Sequence, residues 1–435
     1  MRFKMTNSTP ARDRAQEGGG KGLGTADRPV ANDGRRAKVA GSPDGRGVAN
    51  PAIIGSAKQI ELGAKSPGSM TPDEMRAKCA GFEAEFNKWV LGYPHIGRAL
   101  LISLLMPGRV RHTYALGMPG LAKSHSMETV ARIVPGLIFQ RIQCHSELTP
   151  SQIVGGPVFD QETRKMKIIE GDIIGKHLVL ADELPRATPN AQGGFLQAMA
   201  EGAVSLPGLL QPIKMQDPFV LLATANPAEQ KGVYPLPEAQ WDRFLFQLYF
   251  KYVEEKYAKM MLMRPELTDG SSYAMMTGQM TLPELLQIRD YIKGMHVSQA
   301  FIDYLYAVVD CTRPGQKYHE KLVREFPDTA NVMGMIKRGD EWGGGAGPRA
   351  EQCLVMAAKI YAFLYGVDAF KKPRDYVTPS DLETLLNAVL RARIIMNPEA
   401  KWPTFQDRAV TPDQVIDVIR DKIKPVNDPN AYKRK

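Results

Sequence analysis

The sequence predicts an α/β domain built on a parallel sheet, followed by a separate all-α domain. Short apolar runs of strand length recur between residues 113 and 250, and several of them end directly in glycine or polar residues. Continuous apolar runs are typical of strands that are buried on both faces of a parallel sheet. Beyond Phe250 the apolar residues fall three and four positions apart, which is the spacing of helices that bury one face.

The composition is that of an ordinary globular protein with a basic N-terminal segment. Of the 435 residues 43% are apolar, which is enough for two or three domains with sizeable cores. The net charge is +9, but residues 1–68 hold twelve Lys and Arg against six Asp and Glu and therefore carry +6 of it. The remaining chain is nearly neutral, which argues against a large nucleic-acid-binding groove.

Residues 1–68 are predicted to be a disordered tail, because they are rich in Gly, Ala, Asp, Arg and Pro and lack a sustained apolar period. The N-terminus has no apolar segment of a secretory signal, and no run in the chain approaches the roughly 18 apolar residues of a membrane span. We therefore expect a cytoplasmic protein. The four cysteines form no CxxC pair and the seven histidines form no HExxH motif, so no transition-metal site is expected.

The folded chain is expected to begin at Thr71, which can cap a helix with Pro72 at its first position and Glu74 completing a capping box. A second apolar helix, predicted over 96–106, leads to the first strand at 113–116. Both helices are expected to pack on the α/β domain.

A phosphate-sized loop follows the first strand and precedes a helix predicted over 126–134. It consists of Gly117, Met118, Pro119, Gly120, Leu121, Ala122, Lys123 and Ser124. In a loop of this kind backbone N–H groups bind phosphate oxygens, the lysine reaches the β- and γ-phosphates, and the final hydroxyl binds Mg²⁺. The motif asks for glycine where Ala122 stands, and an ordinary Gly/Pro turn before a helix is the alternative. The loop predicts a binding site for ATP with Mg²⁺.

Two acids end the apolar run at 177–183, which follows another strand predicted over 137–143. Such a strand delivers Asp182 to the carboxyl edge of a parallel sheet, where open α/β sheets bind ligands. Asp182 is placed there to hold Mg²⁺ with Ser124, and Glu183 to deprotonate the water that attacks the γ-phosphoryl group. A solvated acidic turn is the alternative for this motif alone, but its combination with the loop favours a hydrolytic site.

An amide and an arginine follow at the ends of two further apolar segments. The run at 219–225 ends in Asn226, which is a candidate for orienting the attacking water beside Glu183. Arg243 lies where a predicted helix meets the last strand, at 245–250. Facing a neighbouring subunit's γ-phosphate, Arg243 would stabilise the charge of the transition state. A surface ion pair is the alternative for Arg243.

Two strand–turn–strand patterns, at 158–169 and 203–215, predict hairpins that are either surface decoration or contacts to a substrate. Helical patterns then dominate the second half of the chain, at 282–295, 301–309, 351–364 and 380–392. These helices predict the all-α domain.

The predicted organisation has four parts. They are a disordered tail at 1–68, an α/β domain with hairpin insertions at 69–255, a helical domain at 256–396 and a peripheral C-terminal tail at 397–435. A possible helix at 411–423 lies in that C-terminal tail. A polar stretch at about 315–345 is expected to be a loop inserted before Arg349, either an adaptable surface loop or a loop that binds a partner.

Several segments together resemble the MoxR family of AAA+ ATPases. The resemblance is carried by 141–143 (RIQ), 181–187 (ADELPRA), Gln192, 195–199 (FLQAM), 226–230 (NPAEQ), 234–244 (YPLPEAQWDRF), 347–350 (GPRA), 375–381 and 389–394. It covers about residues 73–396. It implies a P-loop AAA+ nucleotide-binding domain with a parallel sheet, followed by an all-α lid domain. Many members end the phosphate loop in Gly-Leu-Ala-Lys-Thr/Ser, which matches Ala122.

The resemblance also implies roles for individual residues. Lys123 and Ser124 would be Walker A residues, Asp182 and Glu183 Walker B residues, and Asn226 sensor 1. An arginine finger is implied as well, for which Arg243 is the first candidate and Arg186 the second. Arg349 would be sensor 2, serving either its own nucleotide or that of a neighbour.

The family's assembly is implied in the same way. Its members form homo-hexameric rings and act with a partner that carries a von Willebrand A domain to remodel or mature a client protein complex. In this AAA+ clade the two hairpins face the ring pore. The resemblance therefore predicts an ATPase that converts ATP and water into ADP and phosphate.

Two other functions are compatible with the same fold. A nucleic-acid motor of the helicase-like AAA+ clade would grip nucleic acid with the pore hairpins, but the nearly neutral folded part lacks an aromatic–basic motif. A nucleotide-sensing scaffold would bind ATP without turnover. The combination of Asp182, Glu183 and Asn226 makes that scaffold less attractive.

Overall fold

The computed structural model describes most of the chain from residue 68 onward. The described residues are 68–162, 164–227, 232–264, 266, 272–337, 344–368, 370–397, 410–426 and 429–433. The predicted disordered tail lies outside them apart from its last residue, and so do Ala228, Glu229 and Gln230 of the NPAEQ segment. Trp342 and Gly343 of the polar stretch also lie outside.

The strands of the described residues form one parallel sheet and two hairpins. They are β1 His112–Gly117, β2 Phe139–Gln143, β3 Gly155–Asp160, β4 Lys165–Glu170, β5 Leu178–Asp182, β6 Ala203–Val204, β7 Ile213–Lys214, β8 Val220–Ala225 and β9 Phe244–Phe250. Five of them pair in parallel in the order β2-β5-β8-β1-β9. This confirms the predicted α/β class, and the parallel pairing brings the carboxyl ends of β1, β5 and β8 to one edge of the sheet.

Helices cover both faces of this sheet, and loops and short 3-10 turns connect the elements. They are α1 Pro72–Trp89, α2 Pro94–Leu105, α3 Lys123–Ile133, α4 Pro150–Val154, α5 Pro189–Glu201, α6 Glu238–Trp241, α7 Glu255–Leu262, α8 Ser272–Met275, α9 Leu282–Lys293, α10 Gln299–Asp310, α11 Lys317–Glu325, α12 Ala330–Met333, α13 Pro348–Tyr365, α14 Pro379–Leu390 and α15 Pro412–Lys422. None of the described helices is both long enough and apolar enough to cross a membrane.

The central strands are buried on both faces because their residues alternate between two cores. Leu178 and Leu180 of β5 pack in the core that contains α1, α2 and most of the later helices. Val179 and Ala181 of the same strand pack in a second core with Phe195 of α5. This two-sided burial explains why β5 is an uninterrupted apolar run in the sequence.

The N-terminal helices follow the prediction closely. The capping box of α1 is present, with the Thr71 N–H donating to Glu74 Oε2 at 2.7 Å and the Glu74 N–H donating to Thr71 Oγ1 at 3.3 Å. Phe82 and Phe86 of α1 and Leu101 of α2 are fully buried in the first core. Both helices therefore pack on the α/β domain as expected.

The two predicted hairpins are also confirmed. β3 and β4 pair antiparallel, with Phe159 opposite Met166, and these two side chains are 56% and 53% exposed. β6 and β7 form a shorter antiparallel pair. The first hairpin therefore extends an apolar cross-strand pair into solvent.

The second half of the chain is helical as predicted, but two expectations about it are wrong. The polar stretch is not only a surface loop, because it contains α11, which buries His319 and Leu322. The C-terminal segment is not merely peripheral, because α15 buries Val415, Ile416 and Ile419 in the first core. In both cases a narrow apolar stripe in a polar segment is enough to bury the helix once neighbouring helices cover that stripe.

Candidate functional site

The predicted phosphate loop connects β1 to α3 at the carboxyl edge of the sheet. β1 ends at Gly117, where a Cβ atom would lie 2.7 Å from Phe250 Cβ and 2.8 Å from the Phe250 carbonyl oxygen. Only glycine fits this close approach of β1 to β9. Gly120 follows with a φ of 81°, in the region that favours glycine.

Ala122 is the N-cap of α3 and adopts the left-handed conformation, with φ 59° and ψ 22°. The glycine that the general motif asks for has a physical reason, since a Cβ atom in this conformation costs about 1 kcal/mol. The chain holds alanine there nevertheless. The loop therefore keeps the phosphate-loop conformation at the cost of local backbone strain.

The two polar side chains at the start of α3 turn toward the loop and toward β5. Lys123 Nζ donates to the carbonyl oxygens of Gly117 and, at 3.1 Å, of Met118. Ser124 Oγ donates to Asp182 Oδ2 at 3.4 Å. The hydroxyl therefore lies beside the first Walker-type acid, and the ammonium group lies against the carbonyl groups of the loop.

Asp182 ends β5 and is almost completely buried, at 7% exposure. Its Oδ1 accepts a hydrogen bond from Thr224 Oγ1 at 2.6 Å. Its Oδ2 accepts from Arg141 Nη2 at 2.6 Å and Arg141 Nε at 3.2 Å. A buried carboxylate needs such charge-assisted partners, and here they fix its orientation.

Glu183 follows in the left-handed conformation, with a φ of 59°, which turns its side chain out of the strand direction. Its N–H donates to Thr224 Oγ1 at 2.9 Å, so one hydroxyl orients both acids. Its Oε2 accepts from Gln143 Nε2 at 3.0 Å and forms an ion pair with Arg186 Nε at 3.2 Å. Arg186 thus lies at the site itself and is 45% exposed there.

Asn226 follows β8 directly, and β8 lies between β1 and β5. The amide is therefore at the same carboxyl edge as the phosphate loop and the two acids. The structure brings the predicted Walker-type residues and Asn226 together at one edge of the sheet.

Arg243 lies at the opposite edge. It precedes β9, whose first residue Phe244 is in register with His112, the first residue of β1. The five residue steps of β1 from there to Gly117 span about 16 Å, which is more than an arginine side chain can reach. Arg243 Nη1 donates to the Leu196 carbonyl oxygen at 2.9 Å.

Arg349, at the start of α13, lies at the same edge of the sheet as Arg243. Its Nη1 donates to Asp242 Oδ2 at 2.7 Å, while Arg393 Nε donates to Asp242 Oδ1 at 3.0 Å. Asp242 therefore fixes Arg349 beside Arg243. Arg349 is 52% exposed, so its guanidinium group remains accessible from outside the subunit.

Sequence reasoning missed several partners of the predicted residues. Thr224 is one of them, although a hydroxyl two residues before Asn226 in an otherwise apolar strand is a usable signal. In the sequence, Arg141 and Gln143 contribute only to the family resemblance, and Asp242 only to the WDRF segment. The roles of Thr224, Arg141 and Gln143 depend on pairing between strands that are distant in the sequence. The role of Asp242 depends on contacts with Arg349 and Arg393, which follow it by more than 100 residues.

The residues at the carboxyl edge suit Mg²⁺ bound together with phosphate. Among the described residues no group of three or more His, Cys, Asp or Glu side chains could hold a metal ion. Mg²⁺ does not need such a cage, because it is commonly held by one or two protein oxygens, phosphate oxygens and water. Ser124 Oγ and Asp182 Oδ2 supply hard oxygen ligands of this kind.

Comparison with known families agrees with this arrangement. Residues 112–246 match the ATPase family associated with various cellular activities (AAA), and residues 343–419 match the AAA lid domain. The second match extends into α15, which agrees with the burial of that helix in the first core.

Individual relatives are similar over most of the chain. Chaperone MoxR1 of Mycobacterium tuberculosis is 32% identical over 73% of this chain and 75% of its own length. Protein MoxR of Methylorubrum extorquens is 25% identical over 76% of this chain and 92% of its own length. A crystal structure from Cytophaga hutchinsonii covers 82% of this chain and 97% of its own, with 28% identity and a TM-score of 0.67. The chain therefore belongs to the MoxR family of AAA+ ATPases.

Proposed function

We propose that the protein binds ATP with Mg²⁺ at residues 117–124 and hydrolyses it to ADP and phosphate. The observation that carries this proposal is the meeting of Lys123, Ser124, Asp182 and Glu183 at one edge of the sheet. Membership of the AAA+ ATPases supports it.

Binding is assigned to the loop and its two flanking side chains. When bound, Mg²⁺ neutralises charge on the β- and γ-phosphate oxygens. Ser124 Oγ and Asp182 would hold the ion, and Thr224 keeps the Asp182 carboxylate oriented. Lys123 Nζ lies against the loop carbonyls and would exchange those partners for phosphate oxygens.

Hydrolysis is assigned to Glu183 as the general base. Gln143 and Arg186 both contact Glu183 Oε2, so the carboxylate is held before any water reaches it. Asn226, at the end of the adjacent strand, would orient the attacking water. Transfer of the γ-phosphoryl group to water also needs positive charge beside the γ-phosphate, on the side away from the phosphate loop, to stabilise the transition state.

That charge would come from a neighbouring subunit. Arg243 and Arg349 lie at the sheet edge opposite their own phosphate loop, and in a head-to-tail ring they would face the nucleotide of the next subunit. We assign Arg243 as the main arginine finger and Arg349 as a sensor that also acts on the neighbour's nucleotide. Arg186, which pairs with Glu183 of its own chain, is assigned a supporting role. A homo-hexamer is the ring that we propose.

The work of this ring is proposed to be chaperone-like remodelling or maturation of a client protein complex, together with a von Willebrand A domain partner. The exposed pair Phe159 and Met166 supplies an apolar contact for a client at the pore. The name chaperone, which the mycobacterial relative carries, supports this direction. The α/β domain at 69–255 and a cytoplasmic location are parts of the same proposal, and we extend the helical domain through α15.

Steady-state ATPase measurements test the catalytic assignment. Turnover per subunit should rise with protein concentration, because the site needs two subunits. Glu183→Gln should lower kcat by at least about 100-fold while retaining ATP binding, since it removes the base and keeps the shape. Glu320→Gln, an exposed substitution on α11, is the matched control and should hydrolyse like the wild type. Equal turnover of Glu183→Gln and the wild type would contradict the assignment of Glu183 as the general base.

A further inference from the structure

Arg141 lies on β2, next to the acid that is proposed to hold Mg²⁺. β2 pairs in parallel with β5, with Gln143 opposite Asp182, so Arg141 is two residues earlier in the register. Its side chain reaches forward along the sheet edge and donates to Asp182 Oδ2 from Nη2 at 2.6 Å and from Nε at 3.2 Å. It is 49% exposed, whereas the Asp182 side chain is 11% exposed.

The oxygen that Arg141 contacts is also the one that faces Ser124. Ser124 Oγ is 3.4 Å from Asp182 Oδ2, and the other carboxylate oxygen, Oδ1, is taken by Thr224 at 2.6 Å. A carboxylate oxygen has about two lone-pair sites. Two N–H groups of Arg141 and the Ser124 hydroxyl already converge on Oδ2, so a cation or a cation-bound water beside Ser124 competes with Arg141 for this oxygen.

We propose that Arg141 is a metal-displaceable counter-ion of Asp182 and thereby sets the affinity of the site for Mg²⁺. Metal binding requires Arg141 to give up at least one of its two hydrogen bonds. The site is therefore weak for Mg²⁺ alone and is filled when the charge of ATP adds to the attraction. This inference rests on the proposed function, since it concerns the regulation of the same site.

The surroundings of Arg141 allow such a displacement. Half of the side chain is already in solvent, so the guanidinium group can leave Asp182 without being buried elsewhere. Arg141 Nη2 also donates to Gln143 Oε1 at 3.2 Å, which offers a second partner at the sheet edge. The buried hydrogen bond from Thr224 keeps Asp182 in place meanwhile.

The test measures how strongly Mg²⁺ and ATP favour each other's binding. The dissociation constant of a fluorescent ATP analogue is determined once with excess EDTA and once with saturating Mg²⁺, in a Glu183→Gln background that prevents turnover. The measured quantity is the dissociation constant in EDTA divided by the dissociation constant in Mg²⁺. This ratio should be roughly three- to tenfold larger in Arg141→Gln than with Arg141 intact, because an exposed charge-assisted pair no longer opposes the metal.

Two further variants make the result specific. Arg141→Lys keeps a positive charge beside Asp182 and should keep the ratio close to that of the unmodified residue. Arg324→Gln removes an exposed arginine of α11 and should leave the ratio unchanged.

The outcomes separate this inference from the function on which it rests. An unchanged or smaller ratio in Arg141→Gln, with normal ATP binding in EDTA, overturns the role of Arg141 and leaves the ATP site intact. Absence of ATP binding in all variants, including the one with Arg141 intact, overturns both.

Discussion

At the scale of single residues, two of the four described non-glycine residues with positive φ lie at the candidate site. Ala122 and Glu183 both have a φ of 59°, although neither is glycine. The first closes the phosphate loop and the second turns the candidate base out of its strand. Non-glycine residues persist in this conformation only where their surroundings hold them.

Ala122→Gly should stabilise the protein by roughly 1 kcal/mol, because it relieves the left-handed strain. Chemical denaturation measures this as a shift of the midpoint without a change of slope. Ala131→Gly is the matched control, since Ala131 lies within α3 and should lose about 1 kcal/mol on the same substitution. A stability of Ala122→Gly equal to or below that of the wild type would count against strain at this position.

The sequence predicted the residues of the candidate site better than the contacts between them. Lys123, Ser124 and Asp182 follow local patterns, in which a strand, a loop and a helix succeed one another. The bridge from Thr224 to both acids depends on the lateral order of β5 and β8, which one sequence does not specify. The same is true of Arg141 on β2.

At the scale of helices and strands, Asp217 connects parts of the molecule that are far apart in the sequence. It lies between β7 and β8 and accepts hydrogen bonds from Arg289 of α9 at 2.7 Å and from Arg111 at 3.0 Å. Both arginines are buried. Hydrogen bonds from Arg289, together with the charge of Arg111, lower the pKa of Asp217 to about 2, against the opposing effect of burial.

Asp217→Asn should destabilise the protein by about 2 kcal/mol at pH 7, a value reduced from that of a fully buried pair because the Asp217 side chain is 58% exposed. A folded-state pKa below the unfolded value gives stability that is present above about pH 4 and lost as the pH falls toward 2. The difference between wild type and variant should therefore shrink over that range in denaturation experiments.

Asp290→Asn supplies the control for this measurement, because Asp290 lies next to Arg289 on α9 and its side chain is 65% exposed. It should stay within about 0.5 kcal/mol of the wild type. If the difference in unfolding free energy between the wild type and Asp217→Asn does not change between pH 5 and pH 2, the ion-pair account is contradicted.

The elements that sequence patterns predicted are those with a strong apolar signal of their own. β5, β8 and β9 are nearly continuous apolar runs, and the capping box of α1 marks its start. In contrast, the mostly polar α11 is not predicted, and for α15 the sequence predicts the helix at 411–423 but not the burial of side chains such as Ile416. Such helices are decided by tertiary packing, which a single sequence pattern does not contain.

At the scale of the whole molecule, the candidate catalytic residues are divided between two edges of one sheet. Lys123, Asp182 and Glu183 lie at the carboxyl edge, and Arg243 lies at the amino edge beside Arg349 and Asp242. No rotation of side chains joins the two groups within a subunit, because the length of β1 separates them. The central claim is therefore that each ATP site is completed by a second copy of the chain.

Mixing two variants that are each inactive tests this claim most directly. Glu183→Gln keeps Arg243 but lacks the base, whereas Arg243→Ala keeps the base but lacks the arginine. In a mixed head-to-tail ring, half of the sites have the base and half of their neighbours supply the arginine, so about one quarter of the interfaces are complete. We predict that an equal mixture recovers ATPase activity that neither variant has alone. A mixture of exchanging subunits that stays as inactive as its components would contradict the shared site.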